Sequence, residues 1–178
     1  KDRTFLHMVA ELESAGKIAP GMTLVDCSTG NGGAALAWVG KMKGYNVVIF
    51  MPEGMTEERK RQIREFGADI IETNRNEFLN GSVQAARDYV ADKPSDKFYF
   101  LDQGSSLLNK SAWIQCGNEI AAQLEEQKEI PDYFVCSIGT GGAFSGISEV
   151  LKAKYPNIET IGIEVDRSAP LYAKKKNL

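Results

Sequence analysis

Apolar residues recur at Phe5, Leu6, Val9 and Leu12, the spacing of one face of an α-helix. With Asp2 near its start and Gly16 after its last turn, the pattern predicts a helix over about 2–15. The run Met22 to Cys27 then reads as a short buried strand. Ser28 to Gly33 is a glycine-rich turn, and Ala34 to Lys43 a helix stopped by Gly44. Asn46 to Met51 is a second apolar strand, closed by Pro52. The alternation continues with a charged amphipathic helix from Thr56 to Phe66 and a strand from Asp69 to Glu72. A helix over Leu79 to Asp92 and a strand from Lys97 to Leu101 follow. After a loop from Gln103 to Asn109, the pattern gives a helix from Lys110 to Glu126 and a strand from Tyr133 to Ser137. A second glycine turn, Gly139 to Gly142, leads to a helix from Phe144 to Lys154 and a strand from Glu159 to Val165.

Strands separated by helices build parallel sheets from βαβ units, so the expected class is α/β. The best candidate junction between two lobes is the Gln103 to Asn109 loop, which divides the chain into 1–104 and 105–178. No internal repeat is visible, and Lys174-Lys175-Lys176 reads as a solvated tail.

Composition narrows the chemistry. The 178 residues are 43% hydrophobic and 25% charged, globular proportions. A net charge of -3 offers no basic surface for nucleic acid. No apolar run approaches the roughly 20 residues of a membrane span. Cys27, Cys116 and Cys136 are an odd, scattered set, which points away from disulfides and to a reducing, cytoplasmic setting. His7 is the single histidine, so neither a His-based zinc site nor a Ser-His-Asp triad is expected, and no metal is assigned. His7, Trp38 and Trp113 are expected to be structural, and Cys27 to be a small buried residue. The chain opens on Lys1-Asp2-Arg3 without Met or a leader-like stretch and reads as a piece of a longer protein.

Two loops carry the candidate chemistry. Ser28-Thr29-Gly30-Asn31-Gly32-Gly33 and Gly139-Thr140-Gly141-Gly142 each join a strand to a helix. At such a place free backbone N–H groups and the positive helix end converge and favour an anion. Glycine lets the backbone approach that anion closely. Two such loops suggest two anionic groups, such as a phosphate and a carboxylate. A dinucleotide-binding domain competes, since Gly30-x-Gly32-x-x-Ala35 opens a helix with Glu53 roughly 20 residues on. Against it, Ser28, Thr29 and Asn31 have no part in holding a pyrophosphate, and Glu53 falls beyond Pro52. The second loop is also left unexplained.

Lys1-Asp2-Arg3 opening a helix, the Ser28 to Gly33 loop and the Gly139 to Gly142 loop occur in a distinctive order. Met51-Pro52-Glu53, Thr56-Glu57-Glu58-Arg59 and Phe66-Gly67-Ala68 lie between them. Together they resemble the fold-type II pyridoxal-phosphate enzymes, in particular cysteine synthase (O-acetylserine sulfhydrylase) and cystathionine β-synthase. The resemblance implies two lobes of parallel sheet with flanking helices, tryptophan synthase β-like, present here as a partial chain. Residues 1–104 would be the smaller substrate-loop lobe and 105–178 part of the larger phosphate-binding lobe.

The same resemblance implies pyridoxal 5'-phosphate as cofactor, bonded to Lys1, which would also move the substrate α-proton. Gly139, Thr140, Gly141 and Gly142, with Ala143 beside them, would wrap the phosphate. Ser28, Thr29, Gly30 and Asn31 would hold the substrate carboxylate, Asn31 also lying near the cofactor ring, and Gln103 would add a contact to that carboxylate. The implied reaction is β-elimination or β-replacement on an O-substituted L-serine with sulfide as nucleophile, in a cytoplasmic homodimer. A serine or threonine deaminase and a catalytically silent relative remain alternatives. The family usually reads Thr-Ser-Gly-Asn-Thr-Gly in the first loop and Thr at position 143; here the hydroxyl pair is inverted, Gly32 replaces Thr, and Ala143 has no hydroxyl. The residue that usually faces the pyridine nitrogen is expected beyond residue 178.

Overall fold

A computed structural model describes residues 1–165 together with Ala169, Leu171 and Lys174; Lys175 and Lys176 of the basic tail lie outside the described residues. The chain forms two compact units, Lys1–Leu108 and Asn109–Leu178. The class is α/β, as expected.

In the first unit, α1 (Asp2–Ser14), β1 (Thr23–Cys27), α2 (Asn31–Lys43), β2 (Asn46–Pro52), α3 (Glu57–Glu65), β3 (Asp69–Thr73), α4 (Phe78–Ala91) and β4 (Phe98–Phe100) follow in order. The strands make a parallel sheet in the order β3-β2-β1-β4. Successive side chains of a strand point to opposite faces, and β1 buries apolar side chains on both. Leu24 joins the larger core, with Phe5, Met8, Leu36 and Ile49. Val25 and Cys27 join the other, with Val48, Phe50 and Ala86. A strand buried on both faces is the parallel-sheet signature.

The chain runs outward from β1 to β3, then returns to pair β4 with the opposite edge of β1. The strand order therefore reverses between β1 and β4. In open α/β sheets the carboxyl ends of the strands at such a reversal form the natural crevice for a ligand. The segments leaving β1 and β4 there are Ser28 onward and Leu101 to Gln103.

The second unit contains α5 (Leu107–Ser111, which begins just before it), α6 (Ile114–Gln127), β5 (Tyr133–Ser137), α7 (Gly142–Lys154) and β6 (Glu159–Ile163). β5 and β6 pair in parallel. Ala121, Ile147, Leu151 and Ile158 form the core. Helices α6 and α7 pack closely because Gly117 and Gly146 carry no side chain there: a Cβ on either would stand 2.8 Å from the Cβ of Val150 or Trp113. The other face of the strand pair leaves Tyr133, Val135, Ile161 and Ile163 exposed.

Several expected boundaries differ; α7 also starts two residues before the predicted Phe144, at Gly142. The helix predicted over Lys110 to Glu126 is two helices, α5 and α6, with the break at Ala112 and Trp113. The glycine turn expected through Gly33 ends earlier, since Asn31, Gly32 and Gly33 already lie in α2. Glycine does not forbid a helix; here it permits close packing, Gly33 lying under Ile63 and Ile49. β6 stops at Ile163, two residues before the predicted end at Val165.

Candidate functional site

Lys1 is fixed from below. Phe5, Met8 and Val9 are fully buried on the inner face of α1, each worth roughly 1.5–3 kcal/mol of burial. The Phe5 N–H bonds the Lys1 carbonyl at 3.2 Å, so the Lys1 backbone is tied to the helix. Its side chain donates from Nζ to Gln103 Oε1 at 3.0 Å. Gln103 is 6% exposed, and its Nε2 donates to the Cys27 carbonyl at 3.2 Å. Its amide thus spans the end of β1 and the start of α1. Burial lowers the Lys1 ammonium below its usual range, while the Asp26 carboxyl partly restores it.

The first glycine loop follows β1 directly. The Gly30 N–H donates to Ser28 Oγ at 3.1 Å, closing a local turn. A side chain at position 32 would meet Gln103 Nε2 at 2.8 Å and Ser28 Oγ at 3.0 Å, so the Gln103 amide occupies space that Gly32 leaves open. Arg59 of α3 donates to the Thr29 carbonyl at 3.2 Å. Asn31 begins α2 and is exposed, and α2 has no side-chain cap at its N-terminus. A groove of about 600 Å³ opens beside both Lys1 and Asn31, with Trp38 and Phe66 among its walls.

Sequence reasoning passed over Asp26. It is 1% exposed, one residue from the end of β1. Burial pushes its carboxyl up to about 7. The signal was present: a carboxylate inside Leu24-Val25-Asp26-Cys27 interrupts an apolar strand. Cys27 is buried as expected, and burial with the nearby Asp26 charge pushes its thiol up to about 12. It stays a neutral thiol at physiological pH and is no nucleophile.

In the second unit, the loop after β5 leads into α7. Gly141 has φ +84° and caps the helix with backbone alone. Positions 139 and 141 face open space, with no atom within 4 Å of a Cβ built there. Asn109, 3% exposed, donates from Nδ2 to Thr140 Oγ1 at 2.8 Å and packs directly against Gly142. Asn109 therefore shapes the loop, a role that its place in a Gly- and Ser-rich stretch did not reveal. Ala143 adds only a methyl group to the first turn. Residues 1, 28–31 and 103 thus gather in the first unit, and residues 139–143 in the second.

Comparison with known proteins points in one direction. The chain is 37% identical over 172 residues to cysteine synthase of Staphylococcus aureus, covering 96% of this chain and 54% of that protein. A hydrogen sulfide-producing enzyme from Fusobacterium nucleatum superposes with a TM-score of 0.90 at 32% identity, over 96% of this chain and 51% of that one. Cysteine synthase from Entamoeba histolytica gives 0.85 at 31% identity, over 96% and 49%. The chain spans about half the length of the relatives that it matches. The family model described as pyridoxal-phosphate dependent enzyme matches residues 1–177, and the chain belongs to that family.

Proposed function

We propose that the full-length protein uses pyridoxal phosphate to carry out β-replacement on an O-substituted L-serine, with sulfide as nucleophile, in the manner of a cysteine synthase. The observation that carries this reading is the Lys1 amine held 3.0 Å from Gln103 at the crevice where the Ser28 loop begins. An amine in this place, with its ammonium form disfavoured by burial, is suited to bond an aldehyde.

The residues present fit the cofactor. The uncapped start of α7, with open space over Gly139 and Gly141, offers backbone donors and a positive helix end to a phosphate. Lys1 would hold the cofactor, and Gly139, Thr140, Gly141, Gly142 and Ala143 its phosphate. When bound, pyridoxal phosphate acts as the electron sink that loosens the substrate α-proton and lets the β-substituent leave. The chain's residues do the rest. Lys1 Nζ takes and returns the α-proton. Ser28, Thr29, Gly30 and Asn31 receive the substrate carboxylate at the start of α2. A contact from Gln103 to that carboxylate requires Nε2 to leave the Cys27 carbonyl.

A second reading keeps the same groups with a thiol as leaving group, so that cysteine would release sulfide. The structural likeness to the hydrogen sulfide-producing enzyme favours it. The proposal extends to a cytoplasmic homodimer taking a small amino-acid substrate; among the described residues no helix is long and apolar enough to cross a membrane. Light scattering and cell fractionation test these points.

Borohydride reduction of the cofactor-loaded full-length protein, followed by peptide mapping, tests the central assignment. Label on Lys1 is expected; label on another lysine, or none, overturns it. Assays with O-acetylserine plus sulfide and with cysteine alone then separate the two readings.

A further inference from the structure

Asp26 is a costly residue to keep. Its Oδ1 accepts the Cys27 N–H at 2.8 Å. Its Oδ2 is buried with no hydrogen-bond partner among the described residues. Buried carboxylates are tolerated when a cation or a full set of donors compensates them. Leu24 and Asp26 share a face of β1 by strand alternation, and Leu24 lies in the core with Phe5, Met8 and Leu36. The cation acting on this carboxyl is Lys1, which favours its ionised form, while the carboxyl favours the ammonium of Lys1. Gln103 stands between them, its side chain bonded to Lys1 Nζ and its backbone N–H directed to the Asp26 carboxyl.

We propose that Asp26 is a positioning residue that serves as the counter-charge of Lys1, allowing that amine to take up and hold the substrate α-proton in a partly buried site. The functional meaning rests on Lys1 being the cofactor lysine. Desolvation alone would leave Lys1 a weak base that gives its proton up readily. An ionised Asp26 offsets that penalty, so Lys1 Nζ can accept one proton and become an ammonium, which takes the pair from one net negative charge to neutral. No covalent bond forms or breaks at Asp26. The other groups facing the carboxyl act in known directions. Asp102, after β4, opposes its ionisation, and Arg87 of α4 pairs with Asp102 at 2.9 Å. Cys27 is a neutral thiol, and β2 presents Ile49 in register with Asp26.

The test is a pH profile. Full-length protein stripped of cofactor is treated with trace acetic anhydride between about pH 6 and 11, and acetylation of Lys1 Nζ is followed by mass spectrometry. Asp26→Asn keeps the acceptor for the Cys27 N–H but carries no charge. The midpoint of Lys1 reactivity is expected to fall by at least about half a pH unit, roughly a threefold change in the neutral fraction. Asp26→Glu is expected to restore part of it. A purely structural Asp26 would leave the midpoint unmoved, and an unmoved midpoint overturns the proposal. Should Asp26→Asn fail to fold, the reciprocal measurement decides. In Lys1→Met the Asp26 carboxyl, followed by carbon-13 NMR, is expected to titrate higher than in the parent; an unchanged titration overturns the proposal equally. These readouts are independent of borohydride labelling, so loss of the Asp26 coupling and loss of the Lys1 assignment are distinguishable.

Discussion

Lys1 and Gln103, 102 positions apart in sequence, are joined by a hydrogen bond of 3.0 Å, and the same glutamine amide reaches the Cys27 carbonyl. Both ends of one side chain are therefore committed. Gln103→Leu removes an acceptor from the Lys1 amine and a donor from a buried carbonyl, each worth about 1–3 kcal/mol. The expected outcome is a lower Tm together with a loss of roughly tenfold to a hundredfold in kcat/KM, measured on the cofactor-loaded full-length protein.

Gly32 controls the same contact from the side. A Cβ at this position meets the Gln103 Nε2 atom at 2.8 Å, and a flexible amide can turn away from it. Gly32→Thr is thus expected to cost about 1–3 kcal/mol of stability while pulling Gln103 off Lys1. Its effect on kcat/KM should not add to that of Gln103→Leu. A double-mutant cycle checks this, since residues that share one contact show non-additive energies.

The proposed phosphate cradle makes a different demand. Gly141 has φ +84° with open space above it, so any L-residue there carries backbone strain of order 1–2 kcal/mol. Gly141→Asp would add a carboxylate facing the proposed phosphate position, and cofactor binding is expected to be lost. Thr140→Ala removes one hydroxyl, itself tied to Asn109, and leaves the backbone donors; affinity should fall by less than about tenfold. Fluorescence titration with the cofactor measures both.

Periodicity carried most of this architecture. Leu24, Val25, Ile49 and Phe50 are strand residues because they are apolar on both faces, and that pattern is visible in one dimension. The Gly30 and Gly141 turns were legible for the same reason. The Lys1–Gln103 contact was not, because it depends on β4 returning to pair with β1, and no periodicity records strand order. Asn109 was hidden in the same way: its bond to Thr140 spans 31 positions, and as a loop residue it looked like a spacer. The break at Ala112 and Trp113 was missed because neither residue is a helix breaker and the glycine in that stretch, Gly117, lies inside α6, so the helical reading ran on through it.

Asp26 makes stability depend on pH. Its carboxyl is raised from 3.8 to about 7 by burial, so the folded state binds a proton that the unfolded state has released. Stability from this group is full below about pH 4 and declines as pH rises to about 7, by at most roughly 4 kcal/mol. Asp26→Asn removes that slope. Urea unfolding of the full-length protein at pH 5 and at pH 8 is expected to show a smaller difference for the variant than for the parent.

Asn31 offers the sharpest separation of binding from structure. It is exposed at the first turn of α2, its side chain makes no hydrogen bond among the described residues, and the turn before it is closed by Ser28 and Gly30 instead. Removing its amide therefore takes nothing from the fold, and alanine is at least as good a helix former at this position. The amide can both donate and accept, and it opens on the groove that also exposes Lys1. A hydrogen bond to a charged carboxylate is worth about 1.5–3 kcal/mol. Asn31→Ala is thus expected to keep its Tm within about 1 °C of the parent, to retain bound cofactor, and to lose roughly tenfold to a hundredfold in kcat/KM. A fall in Tm with unchanged efficiency per folded molecule would instead make Asn31 a residue of the turn and move the carboxylate site elsewhere.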